Sequence, residues 1–229
     1  MEIARAAAAL FVQQGLRATR AEDIAQAAGI APRTFYRYFA TKEEAVSPLY
    51  AAGAGRWTEA VRTAPAELSL PQALEYAVRH TLTPGAGVSA ASWEWVRTLV
   101  RLADTSPALR KVWAEVCQAS EGVLGEILAG RLTGSEPTAA SEPAAGSEPA
   151  AGSGSTAGGA VPAPVTPPLR FAAAVAGAAV RVAVESWAST SAPPTGPRGP
   201  AALALRNLRA LRDFEWAGAP GDEGQPETP

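Results

Sequence analysis

Apolar positions recur at helical spacing from the first residues onward. In "EIARAAAALFVQQG" Ile3, Ala7, Leu10 and Phe11 fall at i, i+4, i+7 and i+8, which predicts one helix with a single apolar stripe. Gly15 ends it, as a residue tolerant of positive φ. "TRAEDIAQAAG" predicts a second helix, with Thr19 and Glu22 spaced as a capping box, Ile24, Ala25 and Ala28 on the buried face and Gly29 closing it. "APRTFYRYF" opens a third at Pro32, which lacks the amide hydrogen that a first helical position leaves unused, and turns Phe35 and Phe39 inward. Thr41 and Glu44 form a second capping-box spacing, so "TKEEAVSPLYAAGAGRWTEAVRT" reads as a fourth helix bent near Ser47-Pro48.

Further helices are expected over 69–83, 89–104 and 107–132, the last with Ser106 as cap and Pro107 in its first turn. The pattern then stops. Residues 133–168 contain no basic or aromatic residue and repeat "SEP" at 135, 141 and 147. Too little apolar surface is present to offset the entropy of ordering, so this segment reads as a disordered insert. Helix resumes over 169–190 and, after "SAPPTGPRGP", over 200–216; residues 217–229 read as a loose tail. No long β-branched run alternates with period two, and the expected fold is all-helical. An amino-terminal unit of 1–46 is expected to sit on a larger unit built from 47–132 and 169–216.

Charge adds a local asymmetry. Residues 1–56 hold seven basic and five acidic side chains, although the chain as a whole carries −2. The apolar run 171–188 is interrupted by Arg181 and Glu185, spaced to pair on one helix face, so a membrane span is not expected. No signal peptide is read at the start, and one cysteine, Cys117, excludes an internal disulfide framework and suits a reducing cytoplasm.

Helix, short glycine-containing turn, helix is the order of a helix-turn-helix unit, whose second helix enters the DNA major groove. With Phe35 and Phe39 inward, Arg33, Thr34, Tyr36 and Arg37 lie on the other faces of the third helix. Arginine bonds guanine bidentately, and threonine and tyrosine hydroxyls reach phosphates or base edges. Lys42, in the first turn of the fourth helix, gains little from the helix dipole, and a nearby phosphate would account for it.

The stretch "AAAALFVQQGLRATRAEDIAQAAGIAPRTFYRYFATKEEAV" resembles the DNA-binding domain of TetR-family transcriptional regulators. The features AA..LF, G...T, DIA..AG, TFYRYF and KE follow in order over about residues 3–46. The resemblance implies an all-helical homodimer with three short DNA-binding helices and a larger domain for a small-molecule effector whose binding lowers operator affinity. By position it places DNA contacts on Thr34, Tyr36, Tyr38 and Lys42, with Thr19 supporting a phosphate contact; Arg33 and Arg37 occupy variable positions suited to sequence readout. Ala31 departs from the usual capping serine, and Arg33 from a usual glycine or serine. The chain starts two residues before Ile3, where relatives carry a basic arm; either the arm is absent or the start lies upstream.

Beyond residue 56, "ASWEWVRTLVRLADTSPALRKVW" and "RVAVESW" resemble a TetR subgroup responding to acyl-CoA-like ligands. From the residues themselves, Trp93, Val96, Val100 and Trp113 suit either an apolar pocket or plain core. Arg97 and Arg101, one turn apart, suit either an anionic head group or solvated surface. Ala172, Ala176, Ala179 and Ala183 form a small-residue stripe which, with Ala204, Leu205, Leu208 and Leu211, suits a dimer interface; packing within one subunit is the alternative for part of it. No cofactor and no metal are expected: His80 is the only histidine, and Cys117 lacks a histidine partner at a readable spacing. No catalytic residue is read. The expected function is a ligand-responsive regulator, a repressor of a palindromic operator, in the cytoplasm and without a membrane partner. The alternative is a ligand-binding helical protein with a vestigial DNA domain.

Overall fold

The computed structural model describes residues 1–85, 90–134 and 164–211. Most of the 133–168 insert, the 217–229 tail and the end of the expected last helix lie outside the described residues. Within them there are nine α-helices and no strand: α1 (Glu2–Gln13), α2 (Ala21–Ala27), α3 (Pro32–Tyr38), α4 (Ser47–Arg62), α5 (Leu70–Leu82), α6 (Ala90–Thr105), α7 (Pro107–Thr133), α8 (Pro167–Ala188) and α9 (Pro200–Ala210).

Local rules account for most boundaries. Gly15 (φ 86°) closes α1. At the end of α2, Gly29 (φ 68°) donates to the Gln26 carbonyl at 3.0 Å, and Ile30 donates to Ala25 at 2.9 Å. This is a Schellman closure, in which the left-handed residue is cheap only as glycine. Ser106 accepts from the Leu109 amide at 3.3 Å and caps α7, as its position predicts.

Three boundaries differ from expectation. The cap of α2 is Arg20, not Thr19: the Asp23 carboxylate accepts from the Arg20 amide at 2.8 Å, one residue out of the predicted register. Thr41 accepts from the Glu44 amide at 3.2 Å, but Glu44 reaches back to the Ala40 amide at 2.8 Å, and only a short 3₁₀ turn, Glu44–Val46, follows. The α-helix proper begins at Ser47, with Pro48 in its first turn in place of a bend. α8 starts at Pro167, two residues before the expected point, because proline is at home in a first turn.

One apolar core joins α1–α3 to the larger unit: Phe11, Ile24 and Phe35 pack with Val46 and Tyr50, and with Leu99 and Leu109 from α6 and α7. A second core lies between α4, α5, α7, α8 and α9. α8 is long and apolar enough to cross a membrane, but its apolar face is filled by α7 and α9. The Arg181–Glu185 pair forms at 3.3 Å, as its spacing predicts.

The alanine stripe faces the chain's own core, the within-subunit alternative, and not a dimer partner. Ala172, Ala176, Ala179 and Ala183 are all buried inside the chain, as is Leu208, and Leu205 is half-buried against the same core. Small side chains do let another helix approach closely, and the helices that approach are the chain's own α7 and α9.

Arginines fix the long connections. Arg131 donates to the carbonyls of Ala64 (2.8 Å) and Pro65 (2.7 Å) between α4 and α5. Arg101 donates to Ala188 (2.5 Å) and Thr190 (2.7 Å) at the end of α8. Arg97 is buried, donates to the Ala192 carbonyl, lies 3.2 Å from Glu94 and stacks 4.3 Å over the Trp187 ring. Arg97 is therefore not a solvated surface residue, whereas Arg101 stays exposed, and both guanidiniums are engaged by carbonyls. Arg101 takes the carbonyl of Ala188, the last residue of α8, and the other carbonyls belong to the turn that follows it.

Candidate nucleic-acid interface and adjoining cavity

α3 has seven residues, and burial sorts them. Phe35 is fully buried, 5.6 Å from the half-buried ring of Phe39. Removing a phenylalanine side chain from water stabilises by about 1.5–3 kcal/mol, enough to fix which way so short a helix faces. Arg33, Tyr36, Arg37 and Tyr38 are consequently exposed, and Thr34 is half-buried.

Two contacts order this surface. The Tyr36 hydroxyl donates to Glu22 Oε1 at 3.2 Å, tying α3 to α2. Partial desolvation and the adjacent Glu22 carboxylate hold that phenol above its ordinary range. Arg37 donates to the Tyr38 hydroxyl at 3.2 Å, with its guanidinium 5.0 Å from the ring centroid. Arg33 and Arg37 thus present cations beside two phenols, the donor set that reads guanine edges and phosphates.

Thr19 and Lys42 are placed differently. Thr19 is buried, donates to the Gly15 carbonyl at 2.9 Å and accepts from Gln14 at 3.3 Å. Its hydroxyl shapes the α1–α2 turn and does not face outward. The Lys42 ammonium donates to the carbonyls of Leu16 (2.6 Å) and Thr19 (2.8 Å), which leaves one N–H for any anion. Sequence reasoning expected a phosphate to account for this lysine; the carbonyls of the same turn account for most of it.

Behind the helix-turn-helix lies a cavity of about 760 Å³. Trp93, Val96, Val100 and Trp113 line it, and Arg97 does not. Tyr50, Trp57 and Trp95 add three further rings, and Arg5 and Ala9 of α1 complete the wall nearest the helix-turn-helix. The Tyr50 hydroxyl donates to the Leu99 carbonyl at 2.9 Å, its ring meets Trp113 edge-on at 5.0 Å, and burial pushes its phenol above the usual range. Trp113 Nε1 donates to Glu185 at 2.7 Å. Burial pushes the Cys117 thiol up to about 12. Among the described residues no cluster of histidine, cysteine and carboxylates has a metal-binding arrangement. His80 stacks on Tyr76 at 5.0 Å on the exposed side of α5.

An exposed polar face on a short helix, fixed by a glycine-closed turn to a preceding helix, defines a helix-turn-helix protein with a cavity-bearing helical body. Residues 3–46 match the family model of bacterial regulatory proteins, tetR family. The HTH-type transcriptional regulator TcmR of Streptomyces glaucescens is 32% identical over 133 residues, 57% of this chain and 58% of TcmR. The HTH-type transcriptional repressor KstR2 of Mycobacterium tuberculosis is 50% identical over 48 residues, 21% of this chain and 24% of KstR2. The matches thus span between a quarter and somewhat over half of these relatives. Among solved structures, the Thermus thermophilus FadR repressor in complex with lauroyl-CoA superposes with a TM-score of 0.55 at 22% identity, over 96% of this chain and 98% of that one. The Dietzia repressor AlkX gives 0.50 at 17% identity over 93% and 96%. At such identities the structures share the fold. The likeness to the tetR family of bacterial regulatory proteins is carried by residues 3–46.

Proposed function

We propose that the protein is a cytoplasmic transcriptional regulator, a repressor that binds an inverted-repeat operator as a homodimer and is released by a small, largely apolar effector. The observation that carries this reading is the outward face of α3, with Arg33, Tyr36, Arg37 and Tyr38 exposed together around the buried Phe35. The cavity behind it, walled chiefly by aromatic and aliphatic side chains, supports an apolar effector. An acyl-CoA-like identity comes from the subgroup resemblance alone.

Two copies of α3 must lie about 34 Å apart to meet successive major grooves. With the alanine stripe occupied inside the chain, the face of α8 that a partner can reach carries Phe171, Val175, Ala178 and Val182 at helical spacing. Val175 and Ala178 are half-buried, while Phe171 is 62% and Val182 44% exposed. Sedimentation of Val182→Glu tests this face, and a shift toward monomer is expected.

Gel-shift titration against the DNA upstream of its own locus tests the function. We expect Arg33→Ala, Arg37→Ala and Tyr36→Ala each to weaken binding by about 1–3 kcal/mol. Unchanged affinity in all three sinks the proposal.

A further inference from the structure

We propose that the cavity takes an amphipathic anion whose apolar part fills the tryptophan-lined chamber, and whose anionic head is held between Arg5 of α1 and Arg56 of α4. On this proposal the head group, and not the apolar part, acts on the DNA-reading unit. The inference rests on the effector-responsive reading above and assigns the ligand's charge and the residues that sense it.

Four charged side chains line the cavity: Arg5, Arg56, Arg181 and Glu121. Arg181 is already paired with Glu185 at 3.3 Å. Glu121 belongs to α7 and lies against α8 at Gly177, on the body side of the chamber. Arg5 and Arg56 differ from both. Each is exposed, and neither has a side-chain hydrogen bond or ion pair among the described residues. Other arginines near the chamber, Arg97 and Arg101, are bound to carbonyls.

Helical spacing sets both cations on the wall of the chamber. On α1, Arg5 and Ala9 are one turn apart and both line the cavity. On α4, Leu49, Gly53, Arg56 and Trp57 follow i, i+4, i+7 and i+8 and line it as well. Each stripe therefore carries apolar or small residues to the chamber and one exposed guanidinium. A carboxylate or phosphate there gains charge-assisted, bidentate contacts, while its apolar part is taken up by Tyr50, Trp57, Trp93, Trp113 and Val184. A neutral ligand of equal size gains only the second term.

The arrangement separates affinity from response. The chamber's tryptophans belong to α4, α6 and α7, whereas Arg5 belongs to α1, the first helix of the DNA-reading unit. An anion joining Arg5 to Arg56 fixes α1 relative to α4. A neutral molecule filling the chamber meets α1 at Ala9 and makes no charged joint between the two helices.

The test uses the full chain and matched twelve-carbon probes: dodecanoate, dodecyl phosphate, 1-dodecanol and dodecylamine. Binding is read by tryptophan fluorescence and operator release by anisotropy of labelled DNA. We expect at least one anion to bind about tenfold more tightly than the alcohol. Arg5→Ala/Arg56→Ala should bind anion and alcohol alike, at the wild-type affinity for the alcohol. In the wild type the anion should release DNA, and saturating alcohol should not. Equal affinity for anions and alcohol, preference for the amine, anion selectivity surviving in the double variant, or no binding by any probe overturns the proposal. Operator binding by the ligand-free chain is measured in the same assay. Its absence counts against the regulator, while the anion–alcohol comparison still decides the site.

Discussion

The Lys42 ammonium lies 2.6 Å from the carbonyl of Leu16, 26 residues earlier in the chain, and so pins the α1–α2 turn to the entrance of α4. Hydrogen bonds from a charged donor contribute about 1.5–3 kcal/mol, so Lys42→Ala should lower stability by roughly that amount. Urea unfolding measures it. A Lys42→Ala chain of wild-type stability that still loses DNA affinity would show that the side chain serves phosphate alone.

The Glu22 carboxylate touches the reading surface, 3.2 Å from the Tyr36 hydroxyl. Replacing it by Gln keeps an acceptor for the phenol and removes a negative charge that opposes phosphate. Operator affinity of Glu22→Gln should rise roughly two- to fivefold at low salt, with the gain fading as salt is added. A loss of affinity in the gel shift would mean that the charge is needed to hold Tyr36.

Two glycines should respond in opposite directions. Gly199 caps α9, and a Cβ there would lie 2.5 Å from the Pro194 carbonyl oxygen, so Gly199→Ala should cost about 1–3 kcal/mol as backbone is forced apart. Gly55 lies inside α4 with nothing within 4 Å of a Cβ, and Gly55→Ala should add about 0.5–1 kcal/mol from helix propensity. Thermal melts of the two variants should bracket the wild type.

Cys117 lines the cavity, and burial raises its thiol from 9.0 to about 12. Alkylation by iodoacetamide at pH 8 should run roughly a thousandfold slower than for a free thiol, since the thiolate is the nucleophile. The unfolded thiol ionises first, so this group's stabilising contribution is complete below pH 9.0 and falls as pH rises toward 12. Cys117→Ala should therefore show a shallower alkaline loss of stability in pH-dependent denaturation.

The DNA-reading unit was legible because its determinants are local. Gly29, Pro32 and the Phe35/Phe39 spacing act within a few residues of one another, and the Schellman closure and the outward face of α3 follow from them. The error at Thr19 has the same scale: Glu22 and Asp23 both stand near the right spacing, and the buried Thr19 hydroxyl is taken by Gly15. What failed was non-local. An alanine stripe on α8 announces close approach without naming the neighbour, and only the packed structure shows it to be α7 and α9. The burial of Arg97 and the carbonyl contacts of Arg97 and Arg101 were out of reach because their partners lie 95 and 87 residues away. The rings of Tyr50 and Trp57 escaped notice as cavity walls for the same reason, and their one signal was the i, i+7 spacing along α4.

The grip of Arg131 on the corner after α4 has a mechanical consequence. α4 runs 16 residues, about 24 Å at 1.5 Å per residue, from the DNA-reading unit to that corner. With the far end tethered by a guanidinium to the carbonyls of Ala64 and Pro65, the helix is a lever with one pinned end. A push on α4 would then be felt at its Ser47 end, beside the helix-turn-helix, and not at the corner.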